Sequence, residues 1–422
     1  MREITITAND AGRRLDRFLR KYLSNASLGE IYKLIRKDIK VDGKRRAQSY
    51  MLSEGEVIAL YISDEVLDSL TGATGKPGKA AGVYGSRAGR SAVVQGSKAK
   101  RQFRIIYEDA NILIASKPFG LLTHGDRFEK KNHLANQVKD YLIEKGEYEP
   151  TRERIFSPAP ANRLDRNTTG LVLFGKTSAA LKGLNMMIRD DLTDKYYLTI
   201  AHGIIEKPLV LRGNLTKNED LNRVQISDIR SSELPAHTAS GTKGSGNPEA
   251  GFISASGDLH RRNDDLSLPV LTVIEPLEIL DFGNGMKATL VQVKLVTGRS
   301  HQIRAHLAGI GHPVVGDTKY AHASPGKKNS ERKPASSVRS SSHKQPKAAI
   351  DQTDAKVIDR LNEYMAQEYK LQTQLLHAYR ISFAEEGLPD DLAYLSGKSF
   401  TAPLPPTFCK VLEGAGAGFA VQ

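Results

Sequence analysis

Apolar residues fall at helical spacing in two short stretches near the start of the chain, first Leu15, Phe18, Leu19 and Tyr22, then Ile31, Leu34 and Ile35. The pattern predicts two amphipathic helices. Ile39-Lys40-Val41-Asp42-Gly43-Lys44 reads as a strand entering a tight Asp-Gly turn, and Val57 to Ile62 as the strand that closes this unit. Further on, the unbroken apolar run Leu171-Val172-Leu173-Phe174 predicts a buried strand. Helical spacing returns within residues 354–370 at Val357, Leu361 and Tyr364, which predicts a helix that brings the chain back to the fold. There is no internal repeat.

Three stretches break this patterning. Residues 69–101 hold seven glycines, seven Lys/Arg and no acid, the composition of a flexible basic linker. Residues 217–266, with Ser240-Gly241-Thr242-Lys243-Gly244-Ser245-Gly246 inside them, read as an expanded surface hairpin. Residues 321–349 carry seven serines and seven Lys/Arg against one acid. Both of these are expected to be disordered insertions. The organisation expected is therefore a small unit over 1–62, a linker over 63–102 and a large domain over 103–422. A tether of this kind would let the small unit search for one element while the large domain engages another.

A chain of 422 residues fits two or three domains at roughly 100–200 residues each. Its formal charge of +13 and pI near 9.5 point to a polyanionic partner, for which nucleic acid is the natural choice. Part of this charge sits on the first unit, where 13 Lys/Arg face 8 Asp/Glu over residues 1–62. Basic residues on helices are usually a solvated face. The single cysteine, Cys409, excludes a disulfide framework within the chain and a cysteine-based zinc cage. Met1 to Thr7 has no apolar signal core, and no run of about 20 apolar residues occurs, so a cytoplasmic protein without a membrane partner is expected.

The chemistry concentrates in Asn162-Arg163-Leu164-Asp165-Arg166-Asn167-Thr168-Thr169-Gly170, just before the apolar run. One carboxylate stands between two arginines at a turn into a buried strand, a setting in which an acid stays ionised and is held still. Taken alone, an Arg-x-Asp at a turn is more often a structural ion pair. The segment, however, resembles the signature loop of RluA-type pseudouridine synthases, in which the aspartate of an Arg-Leu-Asp core attacks a uridine in RNA. Lys195-Tyr196-Tyr197 resembles that family's Lys-x-Tyr motif. Thr297-Gly298-Arg299-Ser300-His301-Gln302-Ile303-Arg304-Ala305-His306-Leu307 resembles its arginine motif and runs on into Gly311-His312-Pro313-Val314-Val315-Gly316-Asp317, also typical of the family. Ile106 to Asp109 and Asn111 to Pro118 resemble the family's entry strands; Leu376-His377-Ala378 and Ala402-Pro403-Leu404-Pro405 resemble its closing segments. The ordered motifs cover most of residues 103–412. Asn162 is one departure, standing where many members carry histidine.

The resemblance implies an α+β catalytic domain with a long mixed, largely antiparallel sheet, flanked by helices and split by a central RNA cleft. It implies an isomerase that breaks the bond from uracil nitrogen 1 to ribose carbon 1′ and rejoins the base through carbon 5, without redox change or net hydrolysis. Asp165 is then the catalytic carboxylate, acting as nucleophile or as the base of an elimination. Arg304 corresponds to the arginine thought to pair with it, with Arg299 as rival, while Arg163 is expected to bind phosphate or hold the flipped nucleotide. Tyr197 corresponds to the tyrosine lying against the target base, where it can stack and help remove the proton from carbon 5. Tyr196 would face the other way on a strand and serve as support.

The first unit resembles the small RNA-binding domain named after a ribosomal small-subunit protein, through Arg14-Leu15-Asp16-Arg17-Phe18-Leu19 and Ile39-Lys40-Val41-Asp42-Gly43. Arg14, Arg17, Lys33, Arg36, Lys37, Lys44 and Arg45 are accordingly expected to contact RNA. Family members with that domain commonly modify ribosomal RNA, so a large-subunit ribosomal RNA uridine is the expected target. Transfer RNA is the alternative substrate, and a non-catalytic RNA-binding or ribosome-assembly factor the alternative class. A target uridine must leave its stack to be reached, a cost of a few kcal/mol that phosphate contacts can offset. His301, His306 and His312 lack an accompanying acidic or cysteine ligand set and read as structural hydrogen-bonding residues, so no metal is expected. No Walker loop or dinucleotide fingerprint occurs in its proper context, so no cofactor is expected. A monomer is expected.

Overall fold

The computed structural model describes residues 1–71, 101–150, 153, 155–218, 223–233, 267–321 and 352–419. The first unit comprises β1 (Arg2–Thr5), α1 (Leu15–Tyr22), α2 (Leu28–Lys37), β2 (Ile39–Val41), β3 (Val57–Leu60) and α3 (Asp64–Thr71). Its strands form an antiparallel sheet in the order β1-β3-β2. Helix α2 starts at Ser27, whose hydroxyl accepts from the Glu30 backbone while the Glu30 carboxylate accepts from the Ser27 backbone, a reciprocal cap. Asp42 and Gly43 both take positive φ, and Val41 and Lys44 exchange backbone hydrogen bonds across them, as a two-residue hairpin turn requires. Phe18, Leu19, Ile31, Ile35 and Leu60 fill the core between helices and sheet.

Two features differ from the expected linker. Residues 64–71 form α3, which buries Leu67 in the same core and so lengthens the small unit. The small unit also touches the large one: Ile155 enters its core, Lys21 Nζ donates to the Ile155 carbonyl at 2.6 Å, and the Phe156 amide donates to Asp10 Oδ1 at 3.1 Å. Asn9 adds a bridge, donating to Glu153 at 3.0 Å and accepting from the Ser178 amide at 2.9 Å. Residues 72–100 of the expected linker lie outside the described residues.

The large unit runs through β4 (Arg104–Glu108), β5 (Ile112–Lys117), α4 (Leu134–Glu144), β6 (Ala159–Pro160), β7 (Thr169–Gly175), α5 (Ser178–Arg189), β8 (Thr193–His202), β9 (Leu209–Asn218), β10 (Arg223–Glu233), β11 (Leu268–Asp281), β12 (Lys287–Leu295), α6 (Gln302–Gly309), α7 (Gln352–Glu368), β13 (Leu376–Phe383), β14 (Ser399–Thr401) and α8 (Pro406–Gly414). The described strands form one 11-stranded sheet in the order β10-β9-β11-β12-β8-β13-β7-β5-β4, with β14 on β13 and β6 on β7. Pairing is antiparallel except where β13 meets β7 in parallel, so the α+β fold with a long mixed, largely antiparallel sheet is as expected. Every residue of β7 is buried, as its apolar run requires.

The hairpin expectation holds in part, and the disorder expectation fails over residues 223–233. These form β10, antiparallel to β9, and bury Val224 and Ile226 against Ala305 and Ala308 of α6. The physical reason is plain alternation, with the two apolar side chains on one face of the strand. Residues 234–266 and 322–349 lie outside the described residues. Helix α7 forms where expected and turns Ile358, Leu361 and Met365 inward. No helix among the described residues is long and apolar enough to cross a membrane.

Candidate active site

Asp165 lies in the turn between β6 and β7, and the sequence around it is devoted to holding that turn. The Asp165 carbonyl accepts from the Thr168 amide at 3.1 Å. The Thr123 hydroxyl accepts from the Leu164 amide at 3.1 Å and donates to the Leu164 carbonyl at 2.9 Å, lacing the turn to the loop after β5. Beneath it Lys117, only 1% exposed, donates to the carbonyls of Leu121 (2.7 Å), Arg166 (2.9 Å) and Pro118 (3.2 Å). Burial pulls the Lys117 ammonium down to about 7, against the opposing pull of the Asp165 charge. Three carbonyls suit the three donors of the charged form.

Asn162, the departure from the family pattern, uses its carboxamide as a short piece of ladder. Its Oδ1 accepts from the Leu173 amide at 2.8 Å and its Nδ2 donates to the Leu171 carbonyl at 3.3 Å, one donor and one acceptor for the edge of β7. Farther along the same edge, Gly170 (φ 109°) lies against β13 so closely that a Cβ there would stand 2.1 Å from the Ala378 carbonyl oxygen. Only glycine permits that parallel pairing. Next to it the Thr169 hydroxyl donates to His377 Nδ1 at 2.8 Å, while His377 Nε2 donates to the Ala402 carbonyl at 3.3 Å.

The turn forms one wall of a cavity of about 300 Å³; the others come from Lys195 and Tyr197 on β8, from Leu295 and Leu376, and from Arg299 to Arg304 at the start of α6. Lys195 and Tyr197 project to the same face because they are two apart on a strand. Tyr196 projects to the opposite face, with the Arg380 guanidinium 4.2 Å from its ring centre, a supporting position as expected. Burial, with a smaller contribution from the Asp165 charge, holds the Tyr197 phenol well above its ordinary pKa. Burial also lowers the Lys195 ammonium, with Asp191 and Asp194 opposing.

The expected Arg304–Asp165 pair does not form as a direct contact. Arg304 is buried and binds Asp317 through two hydrogen bonds, Nε to Oδ2 at 2.6 Å and Nη2 to Oδ1 at 2.7 Å. Burial opposes the guanidinium charge, but the Asp317 carboxylate outweighs it and the pKa moves up, with Asp165 adding in the same direction. Asp317, fully buried, faces this cation and also accepts from the amides of Lys319 and Tyr320, which explains why the fork turns toward it. Arg299 is exposed at the rim and makes no ion pair with Asp165 either. The neighbour of Asp165 is His301, whose Nε2 stands 3.6 Å from Asp165 Oδ2.

The His301 tautomer turns on the direction of the bond at its other nitrogen. The Val224 amide donates to the Tyr320 hydroxyl oxygen at 2.9 Å, leaving the single hydroxyl proton free to donate to His301 Nδ1, 3.0 Å away. When Tyr320 donates to Nδ1, the proton of neutral imidazole sits on Nε2, the nitrogen 3.6 Å from the Asp165 carboxylate. Burial lowers the His301 pKa, while the Asp165 charge raises it and Arg304 lowers it. His306 and His312 are engaged as hydrogen-bonding residues, with the Thr272 hydroxyl at 2.8 Å and the His202 carbonyl at 2.8 Å.

A family profile described as RNA pseudouridylate synthase matches residues 111–309, the span holding Asp165, Tyr197 and Arg304. The matched segment, just under half of the chain, carries that family's pattern. It is 28% identical over 320 residues to the ribosomal large subunit pseudouridine synthase C of Vibrio vulnificus, covering 75% of this chain and 79% of that one. To the protein of the same name from Escherichia coli it is 27% identical over 321 residues, again 75% and 79% of the two chains. Among solved structures, human RNA pseudouridylate synthase domain containing 4 aligns at 16% identity with a TM-score of 0.43, over 74% of this chain and 92% of that one. The protein is an RNA pseudouridine synthase.

In this synthase the cavity brings together Asp165, Tyr197, Arg163, Arg299 and Arg304. Of the residues expected to contact RNA on the small unit, Arg17, Lys33, Arg36, Lys37, Lys44 and Arg45 are exposed. Arg14 instead grips Asp16 at 3.1 and 2.7 Å. Arg45 also donates to the carbonyls of Arg36 and Lys37 at the end of α2. Lys117, Tyr320 and the Asp317 partner of Arg304 are additions that only the structure supplies.

Proposed function

We propose that this pseudouridine synthase acts on uridines of large-subunit ribosomal RNA, flips the target out of its stack into the 300 Å³ cavity, and uses Asp165 as the nucleophile. The observation that carries the reading is the Asp165 carboxylate, part-exposed in the cavity, with His301 Nε2 3.6 Å from it and the charge of Arg304 close enough to act on it. Its attack on ribose carbon 1′ would release uracil through nitrogen 1. Return of the base through carbon 5 would expel the carboxylate, with the carbon 5 proton lost and nitrogen 1 protonated, so that no atom is gained or lost. Tyr197, held protonated by burial, supports the stacking half of its expected role better than that of a base. Arg163, Lys195 and Arg299 line the cavity as cations suited to the flanking phosphates. The exposed basic face of the small unit supports a second RNA contact. The ribosomal target rests on the names of the relatives and on that unit's resemblance.

The test is pseudouridine mapping of total RNA from cells lacking the protein and from cells restored with wild type or Asp165→Asn. Sites in large-subunit ribosomal RNA should vanish on deletion and return only with wild type. Sites restored equally by Asp165→Asn would sink the nucleophile assignment, and sites confined to transfer RNA would sink the substrate assignment.

A further inference from the structure

A second cavity, of about 180 Å³, adjoins the first across the catalytic turn. Arg163, Asp165 and Thr168 face the first, Asn167 and Thr169 face the second, and Leu376 lines both. Its walls have two characters. Phe119, Pro405 and Phe408 supply flat or apolar surface, and Phe119 is 53% exposed, unusual for so large an aromatic. The polar wall is a chain of three side chains: Asn167 Nδ2 donates to the Thr373 hydroxyl at 3.2 Å, and that hydroxyl donates to Gln374 Oε1.

That chain leaves a specific remainder. Gln374 is 6% exposed, yet its Nε2 makes no hydrogen bond among the described residues, and Asn167 Oδ1 accepts none. Neither atom is sealed inside the fold, so both are reachable by a ligand. Reversing both amides would reverse the chain of hydrogen bonds and still leave one free donor and one free acceptor. A donor and an acceptor on one polar wall, beside an exposed aromatic ring, complement the edge and the face of a nucleobase.

We propose that this second cavity receives an unstacked nucleobase from a nucleotide flanking the target uridine, stacked on Phe119 and read through its edge by Gln374 and Asn167. The inference rests on the proposed function, because the target must occupy the first cavity for its neighbour to reach the second. The pocket would thereby contribute to which uridine is selected.

The experiment uses the full chain and a ribosomal RNA fragment carrying a mapped target uridine, in which each of the two nucleotides on either side is made abasic in turn. Turnover is read with wild type and with a Phe119→Ala/Gln374→Leu double variant; affinity is read in the Asp165→Asn background, so that the result does not depend on catalysis. The expected result is one flanking position at which the abasic change costs wild type about tenfold in kcat/KM and in affinity. The double variant should show a similar loss on intact RNA and no further loss at that position. Equal tolerance of all four abasic changes by wild type would overturn the proposal without requiring any variant to fold. So would losses in the double variant that multiply at every position. A failure of wild type to convert any uridine would instead refute the proposed function, and the affinity arm would still decide the pocket.

Discussion

Replacing Tyr320 with phenylalanine removes one oxygen that serves two buried partners, the Val224 amide at 2.9 Å and His301 Nδ1 at 3.0 Å. Tyr320 is 3% exposed, so water does not readily take the place of the lost hydroxyl. Leaving the amide unsatisfied costs about 1–3 kcal/mol and losing the neutral bond to imidazole about 1 kcal/mol, for about 2–4 kcal/mol of stability in all. A domain of ordinary stability survives that loss. The functional consequence is separate. Without a donor at Nδ1, His301 is free to carry its proton there and turn the Nε2 lone pair toward Asp165, 3.6 Å away, so the carboxylate loses the N–H dipole that faced it. Loss of that dipole, at a separation longer than a hydrogen bond, is expected to lower kcat/KM a few-fold. The hydroxyl also favours neutral imidazole by donating to it, so its removal should shift the acid limb of the rate profile to higher pH. Single-turnover pseudouridine formation over a range of pH, beside thermal unfolding, separates the two effects. A variant that loses stability as reckoned but keeps the wild-type rate and acid limb would refute the positioning argument and leave Tyr320 a packing residue.

Gly170→Ala should cost more than about 4 kcal/mol, because the new Cβ meets the Ala378 backbone at 2.1 Å and forces β7 from β13; circular dichroism and thermal melts should find it unfolded or inactive, and a folded, active variant would contradict the packing described. His306 and His377 are held down by burial to about 4, against 6.5 as the ordinary value. Between those values the unfolded chain binds more protons, so stability should fall as the pH drops from about 6.5 to about 4, by about 3 kcal/mol for each histidine. Urea midpoints compared at pH 7.5 and pH 4.5 test this, and His377→Gln should flatten part of the slope. Arg299→Ala, at the exposed rim, should weaken RNA binding whatever the sequence and reduce the slope of log affinity against log salt by about 1; an unchanged slope would remove Arg299 from the phosphate contacts.

The legible parts of this protein were those that obey a period. Leu15, Phe18, Leu19 and Ile31, Ile35 lie on the faces that α1 and α2 bury, and the run from Leu171 to Phe174 is the buried strand that follows the turn carrying Asp165. The Val224 and Ile226 alternation was equally available but stood inside a polar, glycine-rich stretch whose composition hid it. The partner of Arg304 was not legible, because Asp317 lies thirteen residues away beyond the end of α6 and meets it through the fold. Nor was Lys117, which looks like an ordinary polar residue before a proline and is in fact a buried tie between two loops. His301 was expected to be structural, and its bond to Tyr320 is that; its second nitrogen reaches the carboxylate.

The parallel seam between β7 and β13 bears on how such a chain acquires its activity during synthesis. Thr169 and His377, which meet across it, are 208 residues apart in sequence. A nascent chain that has released Asp165 still lacks the strand against which its turn is set, and Leu376, shared by both cavities, has not emerged. Closing so long a loop is slow compared with local pairing. Catalytic competence is therefore expected to arrive late and abruptly, near the end of translation, while the small amino-terminal unit, whose core apart from Ile155 comes from its own residues, can fold earlier.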